Sequence, residues 1–125
     1  MPVDYHIDKE LSTVFSKARD ALNDSDVLEH QQLITNDPAF TPDLNQLFDL
    51  TEVTKVELTS NGTRLLASRD PFGAGAKRAF VVAPGAMEVF GMMRMFQIMT
   101  DEHDDELRVQ FNHIGKARLW LGLPE

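Results

Sequence analysis

Four consecutive apolar residues, Ala79-Phe80-Val81-Val82, sit between Arg78 and Ala83. Side chains of a strand point alternately to its two faces. A strand that is apolar at every position therefore has both faces covered, which calls for helices above and below the sheet. That requirement alone predicts an α/β architecture over Arg78 to Ala83 and the elements around it.

The rest of the chain supplies strands and helices in alternation. Val3, Tyr5 and Ile7 alternate with Asp4, His6 and Asp8, the pattern of a half-buried strand. Leu11, Thr13 and Phe15 continue it after a short charged connection, so the two strands are predicted to form a hairpin. Asn23-Asp24-Ser25-Asp26 offers helix caps, and Val27, Leu28, Gln31 and Ile34 then share one helix face. Asn36-Asp37-Pro38 ends that helix, because proline lacks an N–H and restricts the residue before it. Leu44 to Leu50 reads as a buried strand and Thr51 to Glu57 as a loop. Thr59 and Ser60 cap a helix carrying Leu65 and Leu66, and Pro71 to Ala76 is a loop. Gly85 to Asp101 is predicted helical. Leu107, Val109 and Phe111 alternate as a last strand, and Asn112 caps a final helix with Ile114, Ala117 and Leu121 inward. Gly122-x-Pro124 is its stop. The order is β-β-α-β-α-β-α-β-α, which predicts one domain over 1–125. Its sheet is five-stranded, mixed and mostly parallel, with right-handed crossovers and flanking helices.

Charge and composition narrow the function. The formal net charge is −8, from 12 basic and 20 acidic side chains, so a phosphate backbone is repelled and nucleic acid is not an expected partner. Arg64, Arg69, Lys77 and Arg78 fall close together but read as a solvated helix end and loop. The chain has no cysteine, which removes disulfides, thiolate metal sites and cysteine nucleophiles and suits a reducing compartment. Met1 to Lys9 has no apolar core of signal-peptide length, and no stretch reaches the roughly 18 apolar residues of a membrane span. A cytoplasmic location is the expectation.

Five blocks, taken together, resemble a known group. They are Asp37-Pro38-Ala39-Phe40, Leu47-Phe48-Asp49-Leu50, Arg78-Ala79-Phe80-Val81-Val82-Ala83-Pro84, Phe90-Gly91-Met92-Met93-Arg94-Met95-Phe96-Gln97 and Trp120-Leu121-Gly122-Leu123. Over most of the chain they look like the small bacterial SpoIIAA-like proteins, grouped with the STAS and lipid-binding CRAL-TRIO folds. The resemblance implies a mixed sheet flanked by helices. For the relatives it implies protein–protein signalling or the binding of apolar ligands or membranes. STAS signalling proteins carry a phosphorylatable serine at the start of the helix after an Asp-Leu strand. Asp49-Leu50-Thr51 matches that strand end, whereas Glu57 and Leu58 occupy the places of the family's aspartate and acceptor serine. Thr59 and Ser60 are the neighbouring hydroxyls that could substitute as a regulatory phosphosite.

The richest constellation lies on the helix predicted over 85–101. Val89, Met92, Phe96 and Met99 form one stripe, with Met95 on one side and Phe90 and Met93 on the other. Such a helix is either buried core or has a second apolar partner. Methionine suits adaptable binding surfaces. The candidate ligand or interface residues are therefore Phe90, Met92, Arg94, Met95, Phe96 and Met99, with Arg94 placed to meet an anionic head group. Gly73-Ala74-Gly75-Ala76-Lys77 lacks P-loop spacing and is followed by a strand, so it reads as a hinge. Asp101-Glu102-His103-Asp104-Asp105-Glu106 lacks the EF-hand pattern and reads as a solvating loop. No catalytic motif and no metal-ligand pair occurs among His6, His30, His103 and His113; His30 and His113 read as structural or exposed. The expectation is a non-enzymatic module without cofactor or metal, binding an apolar or amphipathic small molecule beside the 85–101 helix. The alternative is a STAS-like interaction or regulatory module acting through a homodimer or partner interface. Membrane association fits the resemblance but is not indicated by the charge.

Overall fold

The computed structural model describes residues 3–89, 91 and 108–124. Strands β1 (Val3–Asp8) and β2 (Thr13–Asn23) form the expected antiparallel hairpin. Asp8 Oδ1 accepts from the Leu11 N–H at 3.1 Å, and Ser12 takes a positive φ of 51°. Leu11 therefore belongs to the turn, and β2 begins at Thr13. The second strand runs on to Asn23 through register shifts between Lys17 and Arg19 and between Asp20 and Ala21. Asp20 there has a φ of 59°, a left-handed conformation that aspartate tolerates.

Asn23 caps α1 (Asp24–Thr35) by accepting from the Asp26 N–H at 2.8 Å. Asp24 and Asp26 in the first turn complement the helix dipole. Val27 and Ile34 are buried as expected, and His30 joins them. Strand β3 (Asn45–Glu57) corrects the predicted loop at Thr51–Glu57: those residues continue the strand and pair with the second half of β2. Thr59 caps α2 (Ser60–Ser68), again as expected. Strands β4 (Arg78–Val81) and β5 (Arg108–Phe111) complete the sheet.

The strand order is β1-β2-β3-β4-β5, with β1 antiparallel and the other pairings parallel. All four residues of β4 are buried, Arg78 along with the apolar Ala79, Phe80 and Val81, and the strand ends at Val81 rather than at Ala83. Helices α1 and α2 cover the face that carries Ala18, Phe48, Leu50 and Phe80. Helix α3 (Ile114–Trp120) covers the opposite face, where Leu47, Ala79 and Val81 meet Ala117, Leu121 and Leu123.

Two details of α3 differ from expectation. His113, not Asn112, supplies the cap: its Nδ1 accepts from the Gly115 N–H at 3.1 Å. Ile114 is 41% exposed rather than inward, because the first turn lies beside a groove lined by Phe15 and Leu47. The stop is as read. Gly122 has a φ of 74°, its N–H donates to Leu119, and the Leu123 N–H donates to Arg118. This is the paired closure that favours glycine after a helix.

Candidate functional site

Parallel strands of an open sheet leave a crevice beyond their carboxyl ends, and ligands of such folds bind there. A cleft of about 520 Å³ occupies that position at the ends of β4 and β5. One wall is the segment Val82 to Met87, and the other is Gln110 to Asn112. The first wall turns sharply at Gly85, whose φ of 81° suits a residue without Cβ. The Met87 N–H donates to the Gly85 carbonyl at 2.9 Å, and residues 87–89 are helical. Met87 is 75% exposed, a large apolar side chain left facing the cleft and solvent. Among the described residues the lining carries no charged side chain; Gln110 and Asn112 are its polar ones. The volume falls within the roughly 300–1,000 Å³ usual for small-molecule sites.

The helix expected over Gly85–Asp101 starts at this wall. Phe90, Met92, Arg94, Met95, Phe96 and Met99 lie outside the described residues, as does the acidic run Asp101–Glu106 with His103. Among the described residues, no group of three or more histidines and carboxylates is placed to hold a metal ion, and no helix is long and apolar enough to cross a membrane.

Thr59 and Ser60 are in view. The Thr59 Oγ1 accepts from the Gly62 N–H at 2.9 Å and donates to Asp24 Oδ2 at 2.6 Å. The Thr59 N–H donates to Asp24 Oδ1 at 2.9 Å, so the caps of α1 and α2 are locked together. A phosphate on Thr59 would lose the bond to Asp24 and face its carboxylate. Ser60, the first helical residue, is exposed.

The four basic residues close in sequence separate in space. Arg64 and Arg69 are exposed on and beside α2. Neighbouring strand positions face opposite ways, and Lys77 and Arg78 do so: Lys77 Nζ lies 5.3 Å from the Trp120 ring, whereas Arg78 goes under α1 and α2. Arg78 is thus not part of a solvated loop; it is 5% exposed. The Gly73–Lys77 segment is tied down, with the Gly73 N–H donating to the Pro42 carbonyl at 2.8 Å and Ala76 buried.

Arg78 begins a buried polar chain that sequence reasoning missed. Its Nη1 pairs with Asp70 Oδ2 at 2.7 Å, and its Nε and Nη2 donate to Gln46 Oε1 at 3.2 and 3.1 Å. Gln46 Nε2 donates to Ser16 Oγ at 3.2 Å, and Ser16 Oγ lies 2.9 Å from His30 Nε2. Arg78 donates to Gln46 and Gln46 to Ser16, whose hydroxyl, one donor with two lone pairs, can pair with either tautomer of His30. Burial, reinforced by the positive Arg78, pushes the His30 imidazole down to about 4. The ring is neutral at pH 7. The signal that could have found this chain was Arg78 itself, a charge opening a strand with both faces covered.

Fold and site together define an α/β protein with a five-stranded mixed sheet, helices on both faces and a cleft at the carboxyl ends of β4 and the edge strand β5 that is lined, among the described residues, by no charged side chain. No family model and no curated protein matches the chain.

Proposed function

We propose that this chain is a SpoIIAA-like binding module without catalytic activity. It holds an apolar or amphipathic small molecule in the cleft beside the helix that begins at Met87. The observation that carries the reading is the cleft itself: about 520 Å³, at the carboxyl ends of β4 and β5, lined by Val82, Pro84, Met87 and Phe111 with two neutral amides. Apolar walls with a few polar groups are the usual composition of a small-molecule pocket. The element order and the single antiparallel edge strand support the SpoIIAA-like assignment. The exposed Met87 also favours a second reading, a STAS-like module that dimerises or meets a partner through this edge.

Native mass spectrometry of the freshly purified protein separates the two. The binding module predicts an extra mass that survives purification and leaves on unfolding. Met87→Glu then weakens retention at least about tenfold while the monomer stays folded. A ligand-free dimer that Met87→Glu converts to a folded monomer would instead establish the interaction module. A ligand-free monomer would count against both.

A further inference from the structure

Strand order decides which face of the sheet each helix reaches. Strands β2, β3, β4 and β5 lie side by side in chain order and run parallel. Right-handed crossovers between such neighbours fall on one face, and α1 and α2 lie there. The opposite face receives α3, seven residues and so about 10 Å long. It packs on β3, β4 and β5. What it leaves open over β1 and β2 is a groove of about 320 Å³, walled by Ile114 and Arg118 of α3. Register sets His6, Phe15 and Leu47 in one row across the three strands and Asp4, Lys17 and Asp49 in the next. The His6 ring stacks on Phe15, with centroids 4.9 Å apart and planes 15° from parallel. His6 is exposed and Ile114 is 41% exposed. An apolar, aromatic centre with a charged rim is the anatomy of a protein–protein contact.

The rim says which partner fits. Asp4 pairs with Arg19 and Lys17 with Glu52, and Asp49 and Arg118 complete it. Acids and bases are therefore equal in number around the groove, in a chain whose net charge is −8. A strongly acidic or basic partner gains nothing from such a rim. A second copy, turned about a two-fold axis, brings the same acids opposite the same bases. A locally neutral patch is also where two acidic chains approach with least repulsion. We propose that this face binds a second copy of the chain, forming an isologous dimer across the β1–β2 groove with His6, Phe15 and Ile114 at its centre. Met87 lies beyond the carboxyl ends of β4 and β5, towards the other edge of the sheet, so the dimer is independent of what the cleft holds.

A two-fold contact counts every substitution twice. Ile114→Glu puts a carboxylate into each half of the apolar centre, and an acid in the first turn of a helix suits the fold. It is expected to raise the dimer's Kd at least about hundredfold, about tenfold from each copy. Sedimentation equilibrium of the full chain at up to about 100 µM is expected to show a dimer, and Ile114→Glu a monomer with native circular dichroism. His6→Glu, at an exposed strand position, gives the same readout and decides the matter if Ile114→Glu does not fold. Met87→Glu is expected to leave the dimer intact, whether or not the cleft loses a ligand. A native chain that stays monomeric over this range would overturn the proposal. So would a dimer that the folded β1–β2 face variants leave intact, or one that Met87→Glu dissociates.

Discussion

Asp70→Asn isolates the charge in the buried network, because asparagine keeps the shape of aspartate. The two charged side chains are 5% and 8% exposed and 2.7 Å apart, so solvent screening is weak. Removing one partner of a buried pair typically costs about 3–5 kcal/mol, since the other charge stays buried and uncompensated. Arg78 would keep two hydrogen bonds to Gln46 and its position 4.3 Å from the Phe72 ring centre and 5.5 Å from that of Phe80. The amide oxygen of asparagine can still accept one bond. Those remaining contacts put the expected loss at the lower end, about 3 kcal/mol. Against a total stability of roughly 5–15 kcal/mol, that is a large fraction. For a chain of this size it lowers Tm by roughly 10 °C. Urea unfolding at neutral pH reads it as a lower midpoint with an unchanged slope. Replacing both partners, Asp70→Leu with Arg78→Met, is expected to recover to within about 1 kcal/mol of the native chain. An Asp70→Asn protein within about 1 kcal/mol of native would refute the reasoning, since the pair would then behave like a surface one.

Acid should act through His30. Its folded imidazole binds a proton more weakly than the unfolded chain does, so stability is fully present above about pH 6.5 and is lost as pH falls through about 4, by about 3 kcal/mol in all. Urea midpoints at neutral pH and near pH 4.5 should show most of that loss in the native chain and much less in His30→Gln; an NMR titration of the His30 ring with a midpoint above about 6 would contradict it. Gly62 tests the lock between the two helix caps. A Cβ there would clash with the Asp24 carboxylate, forcing it off Thr59. Gly62→Ala is therefore expected to destabilise by about 1 kcal/mol, the lost hydrogen bonds outweighing the better helix propensity of alanine. In an Asp24→Ala background the sign should reverse, and a stabilising Gly62→Ala in the native chain would remove the argument.

Local signals in the sequence were sufficient wherever one residue type has one physical use. Asn23 and Thr59 are caps because their side chains can satisfy a free helix N–H, and Gly122 is a stop because it tolerates positive φ. The four apolar residues from Ala79 set the layered architecture in the same way. The second half of β3 was illegible because its apolar residues, Val53 and Val56, are spaced by three. The register shifts in β2 break the period of two that identifies a strand. The polar chain was illegible for a different reason. Ser16, His30, Gln46, Asp70 and Arg78 become neighbours only through pairing across 8 to 32 positions, which no local pattern records.

Those pairings also explain why the polar chain and the cleft occupy opposite ends of β4. Arg78 is the first residue of the strand and pairs with Gln46, while the cleft begins at Val82, just past the strand's end. A one-residue slip of β4 would turn Arg78 to the opposite face, against the apolar cluster of Leu47, Ala117 and Leu121, and leave Asp70 without its cation. A stranded buried charge on either face costs several kcal/mol. The polar chain therefore penalises the wrong register more heavily than an apolar substitute would. Register, in turn, decides which side chains of the following segment reach the cleft: with Arg78 fixed beneath α1, Val82 and the Gly85 turn are carried to the carboxyl end of the sheet, where the proposed ligand would meet them.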